Sequence, residues 1–417
     1  MIKNFTCHNF KNITCSELEF ARINLLIGPN NAGKSNFIRA LSFAANMVNA
    51  HAEDTTCFLT EVKRNGWMSA VNKSSTDHIF RLKWKFELIH DQPVTYTLNA
   101  HVDQKKDNNY IDNETLDSAK KRNGYEKPYN YFRCHSFQKG CGEFSTAGMK
   151  SQQNNRLRAD VDPQESVLLQ MDNLFFENKE LFSSPFVRDD IRDVLDSMRK
   201  YFRSFYSYAC TSFNIAAIRE LQDEQAEGKY LKKDGSNFVN VYIHAMEDDP
   251  NFEENYNFAL RKLMHCKNVK INNVAGKVWM EIENNGYYFP LSDVSDGTIH
   301  LLILLLLLNL PKSNGISMLA IDEPEMNLHP AWQKLLADEI LKCQSFKQCF
   351  ISTHSPEFLD EFTNDFLNGK VNVFVFNPLS KTSIRQLNSE KLKKDLEDWT
   401  LGDLYRIGDP MIGGWPQ

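Results

Sequence analysis

An apolar run, Asn24-Leu25-Leu26-Ile27, leads straight into Gly28-Pro29-Asn30-Asn31-Ala32-Gly33-Lys34-Ser35, and an apolar helical spacing (Phe37, Ile38, Leu41, Phe43, Ala44) begins at once. No other stretch narrows so far what the chain can fold into. A Gly-x-x-x-x-Gly-Lys-Ser loop between a buried strand and a helix is a phosphate-binding loop in its required setting. The glycines let backbone amides curl around a triphosphate, Lys34 reaches the β- and γ-phosphates, and the Ser35 hydroxyl ligates magnesium. Asn30, Asn31, Ala32, Gly33 and Asn36 complete the expected nucleotide-binding stretch. The bland alternative, a glycine turn opening an ordinary helix, is the weaker reading.

At 417 residues the chain can bury a large core, and its length allows two or three domains. A hydrophobic content of 42% and a charged content of 24% are those of a soluble globular protein. The formal charge of −6 leaves no global basic footprint, so contact with nucleic acid would need a local patch or a partner. Nine cysteines are scattered without C-x-x-C or zinc-ligand spacing, and the one Cys134, His135, Cys141 cluster lacks a fourth ligand. Dispersed thiols suit a reducing cytosol, and Met1-Ile2-Lys3-Asn4-Phe5 does not open a signal peptide. The greasiest run, Leu301 to Leu308, is too short to span a bilayer. A cytoplasmic protein without membrane contact is expected.

Residues 1–102 read as strands, then the phosphate-binding loop, then a helix, then a strand pair at Phe80–Phe86 and Val94–Leu98 whose alternation argues β-structure. From 103 to 162 the composition turns polar, which predicts a long surface insertion. Helical periodicity dominates 163–266, with one apolar face on Ile191, Leu195, Met198, Phe202 and Phe205 and another on Phe252, Tyr256, Leu260, Leu263 and Met264. Over 267–417 short strands return, two of them joined at Asn284-Asn285-Gly286, and strand and helix then alternate. The fold class expected is α/β: a mostly parallel sheet, an antiparallel β subdomain and a helical insertion between two halves of one nucleotide-binding domain.

Three further constellations carry chemistry. Met318-Leu319-Ala320-Ile321 is an apolar strand ending in Asp322-Glu323, which lets Asp322 hold magnesium and Glu323 polarise an attacking water. Ser352-Thr353-His354-Ser355 ends the next apolar strand, a place from which His354 can touch a γ-phosphate. Ser295-Asp296-Gly297-Thr298 precedes the leucine-rich helix and can bind an anion through free amides; its other reading is a plain N-cap on a buried core helix.

In chain order the four elements, phosphate-binding loop, Ser-Asp-Gly-Thr loop with its helix, Asp-Glu strand and strand-end histidine, resemble an ABC-class ATPase of the SMC/RecF/OLD branch. Asn31 stands where transporter ATPases usually carry Gly, Ser295-Asp296-Gly297-Thr298 replaces their Leu-Ser-Gly-Gly-Gln, and Asp322-Glu323-Pro324-Glu325-Met326-Asn327-Leu328-His329-Pro330 is similar to the extended Walker B and D-loop of OLD-like ATPases. Phe10-Lys11-Asn12-Ile13 also resembles this group. The resemblance covers roughly residues 1–100 and 265–417. It implies ATP and Mg2+ as ligands, Glu323 and His354 as catalytic residues, and a signature loop at Ser295–Thr298 that acts across a dimer or higher even oligomer. Gln92, Gln138 and Gln164 are all open as the family's Q-loop glutamine. About ninety-five residues follow Asp322 without a clustered acidic motif, so the TOPRIM nuclease domain of OLD proteins is not expected here. The ending Trp399-Thr400-Leu401-Gly402-Asp403-Leu404-Tyr405 and Ile412-Gly413-Gly414-Trp415-Pro416 is similar to stand-alone OLD-like subunits of anti-phage systems of the PARIS, Septu or AbiL/Rlo type. That implies a separate effector protein, a toxin or nuclease, and allows a DNA or phage-derived ligand. The alternatives are a RecF/SMC-like repair ATPase, which a basic surface at Arg81, Lys83 and Lys85 or at Lys120, Lys121 and Arg122 would favour, and an ATP-binding scaffold or sensor with little turnover.

Overall fold

The computed structural model describes residues 1–49, 57–66, 70–89, 92–103, 108–121, 127–135, 140–145, 156–177, 185–264, 268–312, 315–377, 384–396 and 399–412. Arg122, Gln138 and Gly413 to Pro416 lie outside the described residues, as do the side chains of Gln92, Lys120 and Lys121. The chain divides into two compact units, each drawn from separate stretches.

The first unit takes Met1–Phe20, Asn30–Phe205 and Asn377–Arg385. Its frame is an antiparallel sheet of Ile2–Phe10 (β1), Ile13–Glu19 (β2), Ile79–Ile89 (β4), Gln92–Asp103 (β5), Asn108–Lys121 (β6), Pro128–His135 (β7), Cys141–Ser145 (β8) and Arg156–Asp160 (β9); Ile23–Ile27 (β3) belongs to the second unit. The order is β2-β1-β4-β5-β6-β7-β8-β9. Its helices are Lys34–Val48 (α1), Cys57–Arg64 (α2), Val167–Glu177 (α3) and Pro185–Arg203 (α4).

Alternation decides which face is covered. On β4, Phe80, Leu82, Trp84 and Phe86 are buried, while Arg81, Lys83 and Lys85 alternate with them. Phe10 meets Phe80 at 5.2 Å and Phe43 of α1 at 5.9 Å, both edge to face. The Trp84 indole N–H, which must find an acceptor once buried, donates to the Leu41 carbonyl of α1 at 3.0 Å.

The polar stretch expected as a surface insertion instead carries β6 to β9, which extend this sheet. Ile111, Leu116, Phe132 and Phe144 are buried, and the intervening Asn113, Thr115 and Arg133 are not. A sheet with one covered face spends half its residues on solvent, so its composition reads as polar. Cys134 and His135 are consecutive on β7 and so point to opposite faces; among the described residues no group of His, Cys, Asp and Glu could hold a metal.

The second unit takes Ala21–Pro29, Tyr206–Phe376 and Gln386–Gln417. Its main sheet runs β10-β15-β16-β3-β17-β18, with β10 at Phe205–Ala209, β15 at Met318–Asp322, β16 at Gln348–Ser352, β17 at Val371–Phe376 and β18 at Ile384–Gln386; Phe205, Ile384 and Arg385 are counted with the first unit. Strands β15, β16, β3 and β17 are parallel, so their carboxyl ends gather on one edge: Asp322 pairs with Ser352, and Ser352 with Leu26. A smaller antiparallel sheet holds Gln222–Asp223 (β11), Val269–Val274 (β12), Lys277–Asn284 (β13) and Tyr287–Pro290 (β14). Asn285 at φ 52° and Gly286 at φ 85° make the expected turn between β13 and β14.

The helices of this unit are Ile215–Arg219 (α5), Phe238–Asp248 (α6), Phe252–Met264 (α7), Asp296–Asn309 (α8), Pro330–Lys342 (α9), Pro356–Asp360 (α10), Thr363–Leu367 (α11), Ser389–Leu396 (α12) and Leu401–Arg406 (α13). Every residue of α8 from Gly297 to Leu308 is buried, as its run of leucines requires in water. The helical stretch 163–266 holds α3 to α7, but the boundary between the units falls inside it, after Phe205, and Phe205 opens β10 rather than extending the face of α4. Among the described residues no helix is long and apolar enough to cross a membrane.

Candidate functional site

The phosphate-binding loop leaves the carboxyl end of β3 at Gly28, and the chain passes from the second unit to the first between Pro29 and Asn30. Gly28 has φ 141°, and a Cβ there would lie 2.5 Å from the Phe376 carbonyl oxygen. No side chain fits such an approach. Asn31 at φ 62° and Gly33 at φ 107° keep the loop in left-handed backbone until α1 starts at Lys34. Lys34 and Ser35 thus occupy the first helical turn, where free amides and the helix dipole favour an anion. The turn between β1 and β2 braces this loop: Asn36 Nδ2 donates to Asn12 Oδ1 at 2.8 Å, and Asn12 Nδ2 to the Asn31 carbonyl at 3.4 Å. Beside Asn12, burial and the Arg39 charge lower the Lys11 ammonium to about 8.

Asp322 ends β15 in the second unit, and its Oδ1 accepts a hydrogen bond from the Ser352 hydroxyl. Glu323 follows in left-handed backbone, φ 57°, held there by its N–H, which donates to the Ser352 carbonyl at 3.1 Å. A residue with a Cβ loses roughly 1–2 kcal/mol in that conformation, and such strain collects at functional sites. The twist turns the Glu323 carboxylate to His354, Oε1 to Nε2 at 3.3 Å, with both side chains partly open to solvent. Asp322 and Glu323 at the end of β15 and His354 after β16 are thus neighbours. Gln164, one Q-loop candidate, is tied to β6 instead: its Nε2 donates to the Asn109 carbonyl at 3.3 Å.

Ser295 is the N-cap of α8, its Oγ accepting from the Thr298 N–H at 3.2 Å and lying 2.9 Å from the Thr298 hydroxyl. The capping interpretation of this loop is thus realised within the chain, with Asp296 and Gly297 in the first turn. Arg219 of α5 binds the loop from outside, its guanidinium donating to Asp296 Oδ1 and the Val294 carbonyl, both at 2.8 Å. Nothing near Arg219 in sequence marks it for this task, since it stands far before the loop.

Glu325 is the other residue that motif reading left without a role. Its Oε1 accepts from the His354 N–H at 2.6 Å and the Thr353 hydroxyl at 2.8 Å, while its buried Oε2 has no hydrogen-bond partner. One carboxylate thus pins the loop that carries His354. Burial raises its pKa, against the pull of those hydrogen bonds. The folded chain therefore keeps this proton to higher pH than the unfolded one. Its contribution to stability is complete below the unfolded pKa of a glutamate and declines as pH rises through the raised folded value. Glu325→Gln keeps an acceptor for both donors and should flatten the fall of Tm with rising pH. Glu325→Ala takes the shared acceptor from two part-buried donors and should cost about 1–3 kcal/mol in thermal or urea unfolding.

The same region decides the family. The family described as "AAA domain, putative AbiEii toxin, Type IV TA system" matches residues 23–360. The chain belongs to this family. The matched stretch contains every candidate residue above: Asn30 to Asn36, Ser295 to Thr298, Asp322, Glu323 and His354. No curated protein matches the chain. Among solved structures, an Smc head bound to the C-winged helix domain of ScpA aligns with 12% identity and a TM-score of 0.55, covering 94% of this chain and 99% of that one. An Smc head domain with an extended coiled coil, bound to the C-terminal domain of ScpA derived from Pyrococcus furiosus, aligns with 12% identity and a TM-score of 0.49, over 95% and 98% of the two chains. At such identity the first likeness speaks for the fold: an α/β architecture resembling the ABC-type ATPase head, with mixed sheets and helices.

Proposed function

We propose that this chain binds and hydrolyses ATP, dimerises through it, and controls a partner effector. The observation that carries the reading is the Glu323–His354 pair, 3.3 Å apart beside Asp322, at the carboxyl ends of parallel strands that also deliver the phosphate-binding loop. The residues suit a magnesium nucleotide. Gly28 admits no side chain, Lys34 supplies a cation, and the Ser35 hydroxyl and Asp322 carboxylate are the hard oxygen donors that magnesium takes. When bound, that ion neutralises phosphate charge. Lys34 binds the β- and γ-phosphates, Glu323 takes a proton from the attacking water, and His354 orients Glu323 and reaches the γ-phosphate.

Ser295 to Thr298 supply the contact to nucleotide held by a second copy, which makes the active form a dimer or a higher even oligomer. The family's name mentions a toxin of a toxin–antitoxin system, and the aligned Smc head is bound to a domain of ScpA. Both support a protein partner, and with it a role in anti-phage defence through a separate toxin or nuclease. The head-like fold also supports the RecF/SMC-like repair reading. Against a DNA surface on the first unit's sheet, Arg81 is paired with Asp77 and Lys85 with Glu17, each at 2.5 Å.

Lys34→Ala tests the nucleotide site. Removing a charge-assisted contact should weaken ATP by roughly 10–100-fold in calorimetry. Equal affinity in wild type and variant would dismiss the phosphate-binding assignment.

A further inference from the structure

The terminal motif Trp399-Thr400-Leu401-Gly402-Asp403-Leu404-Tyr405 lies beyond the stretch that defines the family, and the site described above makes no use of it. Its helix α13 nevertheless touches Gly28 of the phosphate-binding loop and helix α10, which follows the loop that carries His354. At one end the Tyr405 hydroxyl, on a ring that is otherwise buried, donates to the Gly28 carbonyl at 3.3 Å. Tyr405 thus holds Gly28 at a place where Phe376 leaves no room for a side chain. Burial, then the Glu325 charge, pushes the Tyr405 phenol up to about 12, so it remains a donor at any physiological pH.

At its other end α13 grips α10, which starts two residues after His354 and is capped by Ser355. A Cβ on Gly402 would collide with the Pro356 carbonyl and the Asp360 carboxylate, so the two helices meet at backbone distance. The Thr400 hydroxyl donates to Asp360 and closes a capping box with Asp403, while Arg406 reaches Asp360 at 2.9 Å and Asp403 at 2.8 Å. Filling space would need neither a glycine at 402 nor a hydroxyl on residue 405.

We propose that α13 is a positioning clamp: Tyr405 sets the Gly28 end of the phosphate-binding loop, and Thr400 with Gly402 sets α10 and, through it, His354. The inference rests on the ATPase reading. It assigns two separable effects to one short helix.

The test uses the full chain, ATP as ligand, and separate measurements of Kd, kcat and Tm for Tyr405→Phe, Thr400→Val and Thr400→Ser. Tyr405→Phe should weaken ATP binding about threefold to tenfold, the equivalent of one neutral hydrogen bond, with kcat little changed. Thr400→Val should lower kcat by a similar factor and leave Kd alone, and Thr400→Ser, which restores the hydroxyl, should recover the wild-type rate. Wild-type Kd and kcat in all three variants, or a lowered Tm with unchanged kinetics below it, would make α13 mere packing and overturn the clamp. A wild-type protein that binds no ATP overturns the ATPase reading itself, and the clamp with it. Wild type that binds without turnover still decides the clamp through the Kd of Tyr405→Phe.

Discussion

Glu323→Gln is expected to bind ATP as the wild type does and to hydrolyse it about 10²–10⁴-fold more slowly, the usual cost of losing a general base. The amide keeps the size and one acceptor oxygen of the carboxylate but cannot take a proton from water. The site geometry sharpens the expectation. Glu323 sits in strained backbone, φ 57°, and its carboxylate faces His354 at 3.3 Å, so the local fold is spent on aiming this one side chain. His354→Ala removes the neighbour and leaves the base, so it should slow turnover by less while binding persists. The check is single-turnover hydrolysis beside calorimetric binding. Wild-type turnover by Glu323→Gln would mean that another residue takes the proton, and the assignment of the Asp322-Glu323 strand end would fall with it.

Most of that strand end was legible because short-range chemistry dictates it. A buried parallel strand must be apolar, its acidic residues can only follow it, and Met318–Ile321 before Asp322-Glu323 reads as such a strand. The phosphate-binding loop is legible for the same reason: only glycine survives the approach of Gly28 to Phe376, and the sequence prints that glycine. What failed to register was anything set by a distant partner. Glu325 stands in plain view within the motif, yet its hydrogen bonds to Thr353 and His354 join two loops that only the pairing of β15 with β16 brings together. Arg219 and Asp296 are likewise joined by the fold and not by any spacing.

The misread stretch from 103 to 162 has a different cause. On β6 the fully buried Glu114 occupies an inward position where alternation calls for an apolar residue. It survives there because it accepts hydrogen bonds from the Tyr96 hydroxyl at 2.8 Å, the Ser166 hydroxyl at 2.9 Å and the Val167 N–H at 2.9 Å. Glu114, with Asn109 and Ser118 also buried on β6, erases the period-two signal from a strand that has it in three dimensions.

Ser295→Arg should keep one-to-one ATP binding nearly intact while abolishing both ATP-dependent dimerisation and hydrolysis. Among the described residues Ser295 caps α8, a role worth about 1 kcal/mol, so its loss should leave an otherwise folded protein. Arginine there would place a long side chain on the loop that, in the proposed mechanism, approaches nucleotide on a second copy. Ser295→Ala removes the cap alone and should dimerise far better than Ser295→Arg, which separates the capping cost from the blocked interface. Mixing Ser295→Arg with Lys34→Ala makes the argument sharper. In a mixed dimer one composite site would carry both defects and the other neither, so turnover absent from each variant alone should partly return. Light scattering with and without ATP, followed by turnover of the mixture, reads both effects. Wild-type hydrolysis by a strictly monomeric Ser295→Arg protein would show that the site works within one chain, and the two-copy mechanism would have to be abandoned.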